Sequence, residues 1–275
     1  MRINSFLFII LCFIALMQSR VAFADKVHIK TYFNPAGGVP TEQLVFGALR
    51  TSLAERFSIS EEQASLERAL SNIERGDGDC VRSLLPTERR RQSLLFSEPV
   101  TYFLGLRVFV SSQSNVEHPK HQVSLQALLQ QHPQLVIGLE KDRSYGDQID
   151  ALLSQVDPAR MYQKDGSEST SQLHAMLLAN RFDVLIEYPT VMEYHNVQKS
   201  IAPQNRPVPL DVEGLPALLT GHVACKDTPE NQQFISELNK ALTTMTKSDE
   251  YLAWHLQYIE PGLRESFLTE FKKIN

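Results

Sequence analysis

The chain has 275 residues, of which 43% are hydrophobic, 21% charged and 8% aromatic. That is an ordinary globular composition, and it excludes a disordered chain, a collagen-like repeat and a multi-span membrane protein. With 27 Lys and Arg against 32 Asp and Glu, the net charge of −5 makes no electrostatic case for binding nucleic acid.

Residues 1–24 read as a secretory signal. Arg2 gives a positive start, Phe6–Met17 is an unbroken apolar run, and Ala22-Phe23-Ala24 is a small-x-small cleavage site. Twelve residues make about 18 Å of helix, short of a hydrocarbon core of about 30 Å. Bulky Leu11 before Cys12 argues against a lipoprotein. A mature chain starting at Asp25 keeps two cysteines, Cys80 and Cys225, and is expected in the periplasm, an oxidising compartment.

Lys26–Phe33 alternates and predicts a strand, with Val27, Ile29, Thr31 and Phe33 on one face and His28, Lys30 and Tyr32 on the other. After the break at Asn34-Pro35, Thr41 reads as an N-cap, and Leu44, Val45, Ala48, Leu49 and Leu53 recur at helical spacing. Phe57–Ser60 predicts a short strand, Leu66–Ile73 a helix ending near Gly76, and Asp79–Leu85 a third strand. Thr101–Val110 reads as one long strand, Leu125–Leu129 as a helix and Leu135–Leu139 as a buried strand. Helices follow at Asp147–Val156 and Leu173–Leu178, then strands at Phe182–Glu187 and Gly221–Cys225. The tail from Asn231 to Lys273 is mostly helical. Strands separated by helices predict an α/β chain with largely parallel sheets. Two polar or Pro-rich stretches, Ser111–His121 and Ser200–Leu210, read as crossings between sub-domains.

Between Leu66 and Val110 lies an ordered series of motifs: Arg68-Ala69-Leu70, Gly76 with Gly78-Asp79, Thr87-Glu88-Arg89-Arg90, then Phe96-Ser97-Glu98-Pro99 and an apolar strand. The series resembles the extracellular solute-binding proteins of the polar-amino-acid type that serve ABC importers. Val136-Ile137-Gly138 followed by Ser144-Tyr145-Gly146, then Leu177–Arg181 with Asp183, and His222-Val223-Ala224-Cys225 resemble the second half of that family. The resemblance implies a two-lobed periplasmic-binding fold of type II. Lobe 1 is then 25–112 with 218–275, and lobe 2 is 113–217. Each lobe would be a mixed, mainly parallel sheet flanked by helices, joined to the other by two hinge strands. It also implies a monomer that captures a small polar, carboxylate-bearing ligand for an inner-membrane ABC permease, or alternatively for a sensor protein.

Site residues follow from the same resemblance. Arg90 matches the arginine that clamps a ligand carboxylate, with Arg89 as the alternative one register away. Thr87 opens the Thr-x-x-Arg motif, whereas Leu85 stands where the family has a Thr that holds ligand. Arg143 and Ser144 lead into a helix at Gly146, where free backbone N–H groups suit an anion. Glu187, one residue early against the family pattern, is the expected partner of a ligand ammonium group, with Tyr188 as a neutral alternative. Tyr32, rather than Phe33, is expected against the ligand. In the implied fold the return strand lies beside the third strand of lobe 1, which brings Cys80 and Cys225 within disulfide reach. His118 and His121, spaced by three with Pro119 between, read as a solvated linker and not a metal site. The chain carries no Gly-x-Ser-x-Gly turn, P-loop or His-Glu-x-x-His motif, so neither an enzyme nor a bound cofactor is expected. An enzyme on the same frame is the reading from a different class.

Overall fold

The computed structural model describes residues 25–34, 40–113, 122–141, 143–166 and 168–274. The expected signal at 1–24, and His118 and His121, lie outside them. The strands of the described residues form two six-stranded sheets, one per lobe.

The first sheet grows from β1 (Val27–Phe33), paired in parallel with β2 (Phe57–Gln63) and β3 (Cys80–Leu84). The return strand β12 (Leu218–Lys226) runs antiparallel to β3, β4 (Leu94–Phe96) and β5 (Thr101–Leu104). Both faces of this sheet are covered. On one, Ile29, Val223 and Tyr102 pack with α1 (Pro40–Leu53), α8 (Pro229–Met245), α9 (Asp249–Leu256) and α10 (Arg264–Ile274). On the other, Tyr32, Val81 and Ala224 pack beneath α2 (Leu66–Arg75). Helix α2 is capped by the Ser65 hydroxyl and stopped by Gly76, whose φ of 82° suits a residue without Cβ.

The second sheet has the order β7–β11–β6–β10–β8–β9. Its strands are β6 (Arg107–Val110), β7 (Gln122–Val123), β8 (Ile137–Glu140), β9 (Met161–Lys164), β10 (Val184–Glu187) and β11 (Val208–Val212). Between them run α4 (Leu125–Gln131), α5 (Asp147–Leu153), α6 (Ser169–Leu178) and α7 (Pro189–Gln198), after the short α3 (Glu88–Arg91) of the first lobe. A separate core of Val108, Ile137, Ile149 and Ile186 holds one face of this sheet.

Several expectations are corrected here. The apolar run Thr101–Val110 is two strands, because the chain changes sheets at Gly105-Leu106. The crossings therefore lie at 105–106 and 213–217, not in Ser111–His121 and Ser200–Leu210, and Arg107–Val110 belongs to the second sheet. At the crossing the two segments touch: the Gly105 N–H donates to the Ala217 carbonyl at 2.8 Å, and a Cβ on Gly105 would overlap the Pro216 carbonyl oxygen. Thr41 lies inside α1 instead of capping it, and its hydroxyl donates to the Trp254 carbonyl at 2.9 Å.

Cys80 and Cys225 sit opposite each other on β3 and β12 and are joined by a disulfide. Both are fully buried. Two residues beyond Cys80 the ladder is irregular, and Ser83 takes a φ of 54°, in the left-handed region that costs a non-glycine residue about 1 kcal/mol or more. This irregularity sends Arg82 and Leu85 to the edge of the cleft described next.

Candidate functional site

A cleft of about 890 Å³ lies between the lobes, at the carboxyl ends of β1, β3, β8 and β10. That is where open α/β sheets bind ligands. First-lobe lining residues include Phe33, Arg82, Leu85, Arg90 and Phe103; the second lobe contributes Glu140, Arg143, Ser144, Glu187 and Tyr188.

Arg90 is half-buried on α3. Its Nη1 donates to the Leu85 carbonyl at 3.0 Å, and its backbone N–H is held by the Thr87 hydroxyl at 3.4 Å. Among the described residues it makes no ion pair within 4.0 Å. Burial lowers its pKa from the ordinary arginine value, while Asp150 and Tyr188 of the other lobe pull it back up. Thr87 is the N-cap of α3 and does not line the cleft.

Arg82, a charge in the otherwise apolar start of β3, has its guanidinium between the rings of Phe33 and Phe46, 4.6 and 4.2 Å from their centroids. It pairs with Glu42 at 2.9 Å and Glu61 at 2.6 Å. The arrangement fixes the Phe33 ring in the cleft wall. Tyr32 is elsewhere: its side chain is fully buried under α2, with its hydroxyl donating to the Asp77 carbonyl at 2.9 Å. The expectation for Tyr32 is corrected to Phe33. The alternation in β1 placed Tyr32 on a polar face, but that face is a second core.

Arg143 and Glu187 form a two-pronged ion pair, Nη1–Oε2 at 2.6 Å and Nη2–Oε1 at 2.7 Å. Glu187 Oε1 also accepts from the Tyr188 N–H at 2.8 Å. Arg143 lies 5.0 Å from the Tyr145 ring centroid and 5.1 Å from that of Tyr188. Burial pulls the Arg143 pKa down, yet the Glu187 carboxylate holds it well above the ordinary value. Glu187 is thus engaged by the protein's own cation at the cleft wall. The anion expected at the start of α5 is also internal. Asp150 accepts from the Ser144 hydroxyl at 2.5 Å and the Tyr145 N–H at 2.8 Å.

Tyr188 is half-buried against Phe103, ring centroids 5.7 Å apart, and burial raises its pKa. Glu140, at the carboxyl end of β8, was absent from the expected site; its place at a strand end beside Arg143 is the signal that finds it. Arg82 and Phe103 were missed as well, and a lone charge inside an apolar strand is the mark of the former. Among the described residues no group of three or more His, Cys, Asp or Glu is placed to hold a metal ion. No helix among them is long and apolar enough to cross a membrane.

A family model for bacterial extracellular solute-binding proteins, family 3, matches residues 48–261. No curated protein matches the sequence. Among solved structures, a histidine kinase sensor domain with similarity to periplasmic binding proteins superposes with a TM-score of 0.65 at 12% identity, over 86% of this chain and 99% of that one. The substrate-binding protein of an amino acid ABC transporter gives 0.62 at 14% identity, over 84% and 98%. A mutant of ArgBP from T. maritima gives 0.63 at 11%, over 84% and 94%. These likenesses establish the two-lobed fold, and with the match over most of its length the chain belongs to the bacterial extracellular solute-binding proteins of family 3.

Proposed function

We propose that this protein is exported and captures a small polar solute bearing a carboxylate between its two lobes. The observation that carries the reading is Arg90, a half-buried guanidinium in the interlobe cleft with no ion-pair partner among the described residues. A planar guanidinium grips a carboxylate through two parallel hydrogen bonds. Phe33, Phe103 and Tyr188 supply apolar walls for the rest of the solute. A ligand that touches both lobes favours the closed form by its differential affinity for it, and a membrane partner reads that difference. The signal-like segment 1–24 and the Cys80–Cys225 disulfide support an extracytoplasmic location.

Delivery to an ABC importer is the first reading of the partner, supported by the likeness to an amino acid transporter's binding protein. The likeness to a histidine kinase sensor domain supports a second, in which the closed form signals instead. A binding role, and not catalysis, is the reading of the cleft, supported by the family match and by solved neighbours that are mostly binding proteins.

A thermal-shift screen of the mature chain against amino acids, organic acids, polyamines and peptidoglycan fragments tests this. A carboxylate-bearing binder at about 100 times its Kd is expected to add about 2.7 kcal/mol of stability. Stabilisation only by compounds without a carboxylate overturns the reading.

A further inference from the structure

Away from the cleft, α6 and α7 of the second lobe meet along a seam that buries two imidazoles, His174 and His195, with ring centroids 5.6 Å apart. His174 is fully buried and His195 is 8% exposed. The amide oxygen of Asn196 only accepts, so His174 Nε2–H donates to it at 2.8 Å, and Nδ1 is the nitrogen left to take a further proton. Neither that Nδ1 nor the His195 Nε2 meets a hydrogen-bond partner among the described residues. A proton added there makes a buried charge with no acceptor, and two charged rings side by side repel each other.

The surroundings bring little counter-charge. Lys199, just beyond α7, adds a like charge, with its Nζ donating to the Ser171 carbonyl of α6 at 2.7 Å and Glu168 pulling on it. Glu193 of α7 is held by Arg206 at 2.8 Å and reaches the seam only through the Asn196 amide at 3.5 Å. Strands β6 and β10 contribute apolar Phe109 and Leu185 to the core shared with these helices. Tyr194 of α7 lies against His195, ring centroids 5.2 Å apart, and packs edge-on against Tyr258 of the first lobe at 5.3 Å.

We propose that the His174–His195 seam is an acid-sensitive latch: proton uptake there loosens α7 from α6 and parts Tyr194 from Tyr258, freeing the lobes to separate. Resting on the reading of the cleft as a capture site, the latch ties solute release to acidity. Burial, aided by Lys199, pushes both imidazoles down to about 4. In water they return to about 6.5. Between those values the opened seam binds protons that the closed seam refuses, so opening becomes easier as pH falls. From about pH 6.0 to 4.5 the opening equilibrium rises about 20-fold for one imidazole and about 400-fold for both.

Hydrogen exchange on the solute-free mature chain, read as protection factors of the α7 amides, tests this. Protection is expected to fall at least about 20-fold between about pH 6.0 and 4.5 in the wild type, and less than about threefold in the double variant His174→Gln with His195→Gln. Should the double variant not fold, His195→Gln alone is expected to show a change at least about fivefold smaller than the wild type. The NOE between the Tyr194 and Tyr258 rings, recorded with selectively protonated tyrosines, is expected to fade over the same range in the wild type only. A smaller wild-type change, an equal change in the variants, or an NOE that persists while α7 opens overturns the latch. With no solute present, each of those results leaves the carboxylate reading standing.

Discussion

Arg143→Met is expected to destabilise the protein by about 3–5 kcal/mol, the usual cost of stripping one partner from a buried ion pair. The deleted group makes both short contacts to Glu187, at 2.6 and 2.7 Å, and the carboxylate left behind is almost wholly removed from water. Its remaining partner is the Tyr188 N–H, one neutral donor against a full charge. Methionine fills much of the volume under Tyr145 and Tyr188, so lost packing contributes little. The double variant Arg143→Met with Glu187→Leu separates the two causes. It removes the stranded charge and is expected to recover more than half of the loss, since a buried pair and a well-packed apolar pair are often close in stability. Chemical denaturation of the three proteins measures this. Equal instability of the single and double variants would show that the guanidinium acts by packing.

Cys80→Ala with Cys225→Ala is the second large change. The bond closes a loop of 145 residues in sequence separation, which encloses the whole second lobe. Chain-entropy arguments give about 5 kcal/mol for a loop of that length, and native disulfides typically return about 2–5. At about 2–4 °C per kcal/mol for a domain of this size, a fall of about 5–20 °C in melting temperature is expected. The consequence reaches the cleft, because β3 passes from Cys80 directly into Arg82 and the left-handed Ser83. A melting temperature unchanged in the double variant, or two free thiols in the denatured wild type without reductant, would contradict the bond's contribution.

Much of the fold is legible in the residues. The 3.6-residue recurrence of Val45, Leu49 and Leu53 marks α1, and Gly76 marks the end of α2. The strands β4, β7 and β9 are not legible. They are two to four residues long with little buried surface, so no hydrophobic alternation announces them. Helix α7 begins at Pro189 and buries polar residues such as Thr190, His195 and Asn196, which hides its inner face. At the site, Arg90 is legible through its spacing to Phe96-Ser97-Glu98-Pro99. The engagement of Glu187 is not, because its partner lies 44 residues away and only the parallel pairing of β8 and β10 brings them together. Tyr32 and Phe33 exchange roles for a similar reason: a sheet covered on both faces has no polar face to point toward a ligand.

Calorimetric titration of the wild type and Arg90→Ala with the carboxylate that stabilises the protein most in the thermal screen bears most directly on the central claim. Loss of the clamp leaves a ligand carboxylate unpaired in a half-buried cleft, and affinity is expected to fall by about 2–4 kcal/mol, or about 30- to 1,000-fold. An unchanged Kd in a variant with wild-type melting temperature would contradict capture of the solute through Arg90.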